Sequence, residues 1–152
     1  MARRYCSALP AWITVVVSQD QLSLTLTHGD LDNRDKGTLT SQKDLVIKLL
    51  AGDVNNQQDG LIFSNKGRLD LVARSLNNQQ GTLQSENNNQ MRLSGALNNQ
   101  GGRINSFSGD LDLDAASVAN NTGRVLNSEK GLVKLVTGLF DKRVEFAGRT
   151  RQ

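Results

Sequence analysis

Three carboxylates, Asp110, Asp112 and Asp114, alternate along one short stretch, so an extended strand would project them to one outer face. Clustered acids of this kind can hold calcium or serve as acid and base on a glycosidic bond. This is the most enzyme-like feature of the chain. A solvated strand face is the favoured account, because neighbouring segments offer few matching acids. His28 is the single histidine and stands beside Gly29 in an expected loop. A general base needs a partner to act on or through. No second His, and no Cys/His or Ser/His arrangement, is spaced to supply one, so His28 reads as an exposed loop residue. Ser41, Ser64, Ser85 and Ser106 suggest nucleophiles only until their regularity is noticed. Four equivalent serines are better explained as strand or corner residues that satisfy backbone hydrogen bonds.

Other chemistries are excluded by residue type. Cys6 is the only cysteine, which rules out an intramolecular disulfide and a multi-cysteine zinc site. There is no phosphate loop, no dinucleotide-binding Gly motif and no Cys/His metal spacing. The Gly-Gly-x-Gly-x-Asp pattern of calcium-dependent nonapeptide repeats is also absent. Asn120-Asn121-Thr122 matches a glycosylation acceptor, but Asn120 belongs to a repeat described below. No residue is assigned a catalytic, cofactor-binding or metal-ligating role, no cofactor is expected, and the chain is read as a non-enzyme.

Composition bounds the partners. Of 152 residues, 37% are hydrophobic but only 4% aromatic, so a core must be built from Leu, Ile and Val in a narrow, layered interior. The net charge of +3 comes largely from the two ends, at Arg3, Arg4, Lys142, Arg143, Arg149 and Arg151. Residues 20–135 carry neither a basic stripe nor interleaved aromatics, which argues against nucleic acid as a partner. Arg3 and Arg4 followed by Ala8 to Val17 imitate a signal peptide, yet Pro10 interrupts the run and no convincing cleavage site follows. The apolar run Ala11 to Val17 is far shorter than the roughly 20 residues a spanning helix needs, so no membrane span is expected.

The elements that would position these side chains are written as a repeat. Aligning on the apolar residue before each Asn gives LDNRDKGTLTS from Leu31, VNNQQDGLIFS from Val54, LNNQQGTLQS from Leu76, LNNQGGRINS from Leu97 and VANNTGRVLN from Val118, at spacings of 23, 22, 21 and 21. One position holds Asn33, Asn56, Asn78, Asn99 and Asn120, and the turn closes on Gly37, Gly60, Gly81, Gly102 and Gly123. Asn and Gly are expected to accommodate the left-handed backbone of tight turns. Leu39, Ile62, Leu83, Ile104 and Val125 follow each Gly by two residues, and the serines by four, with Asn127 in the fifth copy. A second apolar pair follows: Leu45 and Ile47, Leu69 and Leu71, Met91 and Leu93, Leu111 and Leu113, Val133 and Leu135. The period within these pairs is two, that of a strand.

A period near 21 is too short for a strand, a crossover helix and a second strand. Short strands turning at Asn and Gly can instead lay each coil on the last as parallel strands about 4.8 Å apart. The expected fold is an all-β parallel β-helix, a solenoid of about five to six rungs, with an aliphatic ladder inside and an Asn ladder along one corner. Residues 16–138 form the array. Residues 1–15 are an atypical N-terminal segment that reads as unrelated sequence, with Thr14 where Gly is expected, and residues 139–152 read as a frayed, basic, non-family tail.

Runs such as LNNQQGTLQS and LNNQGGRINS, each followed by an alternating Leu pair, resemble the shaft repeats of the filamentous haemagglutinin family, over roughly residues 16–138. These are large exoproteins of bacterial two-partner secretion, among them adhesins and contact-dependent growth-inhibition toxins. The resemblance implies a right-handed parallel β-helix and an extracellular or cell-surface stalk with a role in adhesion and virulence. It also implies stacking on adjacent repeats or other copies, an outer-membrane transporter and a cell-surface receptor. The secretion domain and the receptor-binding or toxic module of such exoproteins are not identifiable here, which leaves a shaft fragment, a truncated frame and a short orphan member as readings. Against the stalk stands a carbohydrate-active β-helix enzyme using Asp110, Asp112 and Asp114.

Overall fold

The computed structural model describes residues 11–12, 15–18, 20–120, 125–140 and 147–151, with side chains from 20–120 and 126–138. The strands follow the coils in order. The first coil holds β1 (Ala11–Trp12), β2 (Val15–Ser18) and β3 (Leu22–Leu26), and the second β4 (Leu31–Asp32), β5 (Thr38–Ser41) and β6 (Leu45–Leu49). The third has β7 (Val54–Asn55), β8 (Leu61–Ser64) and β9 (Leu69–Ala73), and the fourth β10 (Leu76–Asn77), β11 (Thr82–Ser85) and β12 (Asn89–Leu93). Then come β13 (Ala96–Asn98), β14 (Arg103–Ser106), β15 (Leu111–Ala119), β16 (Val125–Phe140) and β17 (Ala147–Arg151).

Every strand pairs in parallel with the strand one coil away: β4 with β7, β5 with β8, β6 with β9 and onward to β17 on β16. The result is a parallel β-solenoid of about five turns, without a helix among the described residues. No helix there is long and apolar enough to cross a membrane. Two physical demands meet in this arrangement. Alternation sends every second side chain inward, and each coil satisfies the backbone groups of the next. In β9 the result is strict, with Leu69, Leu71 and Ala73 buried and Asp70 and Val72 half-buried.

The core is a file of aliphatic ladders one residue thick, and among the described residues none of its buried hydrophobic side chains is aromatic. Leu39, Ile62, Leu83, Ile104 and Leu126 form one ladder. Its fifth member is Leu126, not the expected Val125. The corner from Asn to this ladder spans five residues at Asn78 to Leu83 and Asn99 to Ile104, but six at Asn56 to Ile62 and again at Asn120 to Leu126. A one-residue difference in loop length reverses which side chain points inward. The same shift places Ser128, rather than Asn127, opposite Ser106.

A second correction falls on β12. Leu69 pairs with Asn89 and Leu71 with Met91, so the two positions held by the apolar pair in the coil before are held here by Asn89 and Met91, with Leu93 opposite Ala73. The corner after Ser85 is one residue shorter than the corner after Ser64, and it brings a fully buried Asn89 into a column otherwise made of Leu22, Leu45, Leu69, Leu111 and Val133.

Candidate functional site

Asn33, Asn56, Asn78, Asn99 and Asn120 lie in one column, and all five are fully buried. An amide side chain carries two N–H donors and an acceptor oxygen, which suits a stack of identical groups. Asn33 Nδ2 donates to Asn56 Oδ1 at 2.7 Å, Asn56 to Asn78 at 2.8 Å, Asn78 to Asn99 at 2.7 Å and Asn99 to Asn120 at 2.7 Å. The same nitrogens reach backbone carbonyls of their own and the next coil, as Asn56 does to Gly60 at 3.0 Å and Thr82 at 3.1 Å. Within the ladder, only the end atoms are unmatched, at Asn33 Oδ1 and Asn120 Nδ2.

The glycines of this corner serve space rather than left-handed geometry. Gly37, Gly60, Gly81 and Gly102 are buried, and none has a positive φ. A Cβ on Gly60 would lie closer than 3.0 Å to the Asn33 carbonyl oxygen and to Asn56 Oδ1, and one on Gly81 would meet the Asn56 carbonyl and Asn78 Oδ1 likewise. The left-handed residues sit between Asn and Gly: Asp35 and Lys36, Gln58 and Asp59, Gln80, and Gly101. Gly123 lies outside the described residues, as does Thr14.

At the next corner the buried serines bridge coils. Ser41 and Ser64 Oγ both donate to the Lys43 carbonyl at 2.6 Å, and Ser85 and Ser106 both donate to Asn87, at 2.8 and 2.7 Å. Ser128 Oγ donates to the Gly109 carbonyl at 2.7 Å and accepts the Gly131 N–H at 2.8 Å. A hydroxyl committed to two backbone groups is a poor nucleophile and a good joint.

The acidic stretch is divided among separate tasks. Asp110 precedes β15 and lies in a corner, where its Oδ1 accepts the Leu132 N–H at 2.8 Å. Asp112 pairs with Arg92 Nη2 at 2.8 Å, and Asp114 forms no ion pair among the described residues. No group of three or more His, Cys, Asp or Glu there is placed to hold a metal. His28 is exposed, with Nδ1 3.3 Å from Thr27 Oγ1.

A haemagglutinin repeat profile matches residues 17–73, 66–108 and 106–149. This chain belongs to the haemagglutinin-repeat family. No curated protein and no solved structure matches it. The haemagglutinin repeat is a structural repeat of adhesin-like exoproteins that are secreted or held at the surface. In this haemagglutinin-repeat chain, ion pairs link positions about one coil apart: Asp20 with Lys43 at 2.8 Å, Asp53 with Arg74 at 2.7 Å and Arg92 with Asp112 at 2.8 Å. The Arg74 guanidinium holds the Asp53 carboxyl below its usual range against the opposing effect of burial, with help from Ser75. Opposite charges separated by one repeat were the available signal for these pairs, and inspecting charges strand by strand misses them.

Proposed function

We propose that the chain is a noncatalytic segment of a haemagglutinin-like exoprotein that acts as a stalk, holding a binding or toxic tip away from the producing cell. The observation that carries this reading is the continuous Asn ladder, which runs from coil to coil beside a core filled with aliphatic side chains. Each added coil lengthens such a body by about 4.8 Å, so reach is set by coil number. Export through an outer-membrane transporter and engagement of a cell-surface receptor by a distal module belong to the same reading. Spacing is the mechanism.

Two measurements test it. Inserting whole coils into the exoprotein that carries this segment should lengthen the particle by about 4.8 Å per coil in electron micrographs, with binding or toxicity of the tip retained. Incubation with acidic polysaccharides, with and without calcium, should release no reducing ends. Release that is lost on Asp112→Ala would overturn the stalk reading in favour of the carbohydrate-active one.

A further inference from the structure

One outer face of the solenoid is built differently from the rest. Past the inward-facing residues of the β6–β9–β12–β15–β16 sheet, a shallow groove of about 550 Å³ is lined by Leu49, Leu50, Val72, Leu93, Arg74 and Asp114, among others. Leu50, 67% exposed, and Val136, 47% exposed, are the two exposed large hydrophobic residues among those described. Both lie on this face.

Their placement has a symmetry that the register makes explicit. Lys48, Val72, Arg92, Asp114 and Val136 are successive neighbours in one outward column. Leu50 shares its coil with Lys48, and Arg74 shares its coil with Val72. Counted from the coil of Arg92, Leu50 lies two coils one way and Val136 two the other, while Arg74 lies one coil one way and Asp114 one the other. A two-fold axis crossing the sheet between Arg92 and Ser94, turned roughly 25° from the strand direction to take up the two-residue offset of Leu50 from Lys48 and of Arg74 from Val72, would therefore set the Leu50 coil against the Val136 coil of a second molecule, and the Arg74 coil against the Asp114 coil. The charges are free to pair in that arrangement. Asp114 has no ion pair among the described residues, and Asp53 occupies only Nε and Nη2 of Arg74, leaving Nη1 for a second carboxylate. At the axis, Asp112 balances the charge of Arg92.

We propose that this face is a self-complementary docking surface for a second copy of the chain, laid antiparallel across the Arg92 coil. The five coils involved span about 20 Å, so roughly 400 Å² per partner would be covered, about half of a standard interface. The association is of the weak, transient class for one module, and it multiplies where many coils lie side by side. It is lateral, and so it is independent of the stalk's reach.

Sedimentation velocity of the full chain in a Cys6→Ser background should show a monomer–dimer equilibrium that Leu50→Asp weakens roughly tenfold or more, with the monomer's circular dichroism and melting temperature unchanged. Geometry is read with a short bifunctional thiol crosslinker. Ser94→Cys should link to itself, and Leu50→Cys should link to Val136→Cys in a mixture, while neither of those two links to itself. Self-linking of Leu50→Cys, association unaffected by Leu50→Asp, or absence of association at high concentration each overturns the proposal. The second of these would mark end-to-end stacking instead.

Discussion

An asparagine buried beyond the reach of water is tolerated only while its polar atoms are partnered. Asn78 meets that condition through bonds to Asn99 and the Gly81 and Arg103 carbonyls, and by accepting from Asn56. Replacing it with Ala would orphan groups in two coils at once, and a loss of about 2–4 kcal/mol in denaturant unfolding is expected. Asn89 is the opposite case. Its Oδ1 has no partner and its Nδ2 makes one long bond, 3.3 Å to the Asn105 carbonyl, between Leu69 and Leu111. Asn89→Leu should therefore stabilise the protein by about 1–2 kcal/mol, seen as a higher denaturant midpoint at unchanged slope. Sequence spacing located the Asn column and its glycines, but not the direction in which the side chains point. Polar residues are ordinarily assigned outward, and five inward amides become readable only once a stack is available to satisfy them.

Turn length decides the register of each element. The strands, their period of two and most of the aliphatic ladders were legible because alternation is a local signal. The shifts at Leu126 and Asn89 were not, because they depend on how many residues a corner consumes and the sequence does not mark a left-handed pair. Asp35, Lys36, Gln58, Asp59 and Gln80 hold positive φ without being Gly or Asn. Gln80 occupies the place that Gly101 takes one coil later, and Gln80→Gly should raise stability by up to about 1 kcal/mol, part of the relief being offset by a freer unfolded chain. Thermal melts would register the change. Elements are also joined by charge. The folded-state pKa of Asp53 is depressed, so its pair with Arg74 stabilises above the unfolded value near 4 and is lost as pH falls through the lower folded value. Melting temperature followed downward from pH 6 should fall less steeply near and below pH 4 in Asp53→Asn than in the parent chain.

The molecule as a whole is a one-dimensional array, so its integrity should depend on whole coils rather than on particular ones. Leu76 and Leu97 are neighbours in register, so deletion of residues 76–96 removes one coil and rejoins equivalent positions. That variant should remain folded with a lower melting temperature. Deleting only residues 76–86, about half a coil, leaves strands with no equivalent neighbour to stack on and should give an unfolded or aggregated product. Circular dichroism and gel filtration distinguish the two. The Asn ladder adds a sense of direction to this array. Every bond runs from a nitrogen to an oxygen nearer the C-terminus, so the side-chain dipoles add head to tail along the shaft. Reversing a single amide would set nitrogen against nitrogen on one side and oxygen against oxygen on the other, so the column holds one orientation collectively or loses two bonds at each fault. Each coil of the column thus gives a proton to the coil after it and a lone pair to the coil before it: the shaft has a direction written in its side chains.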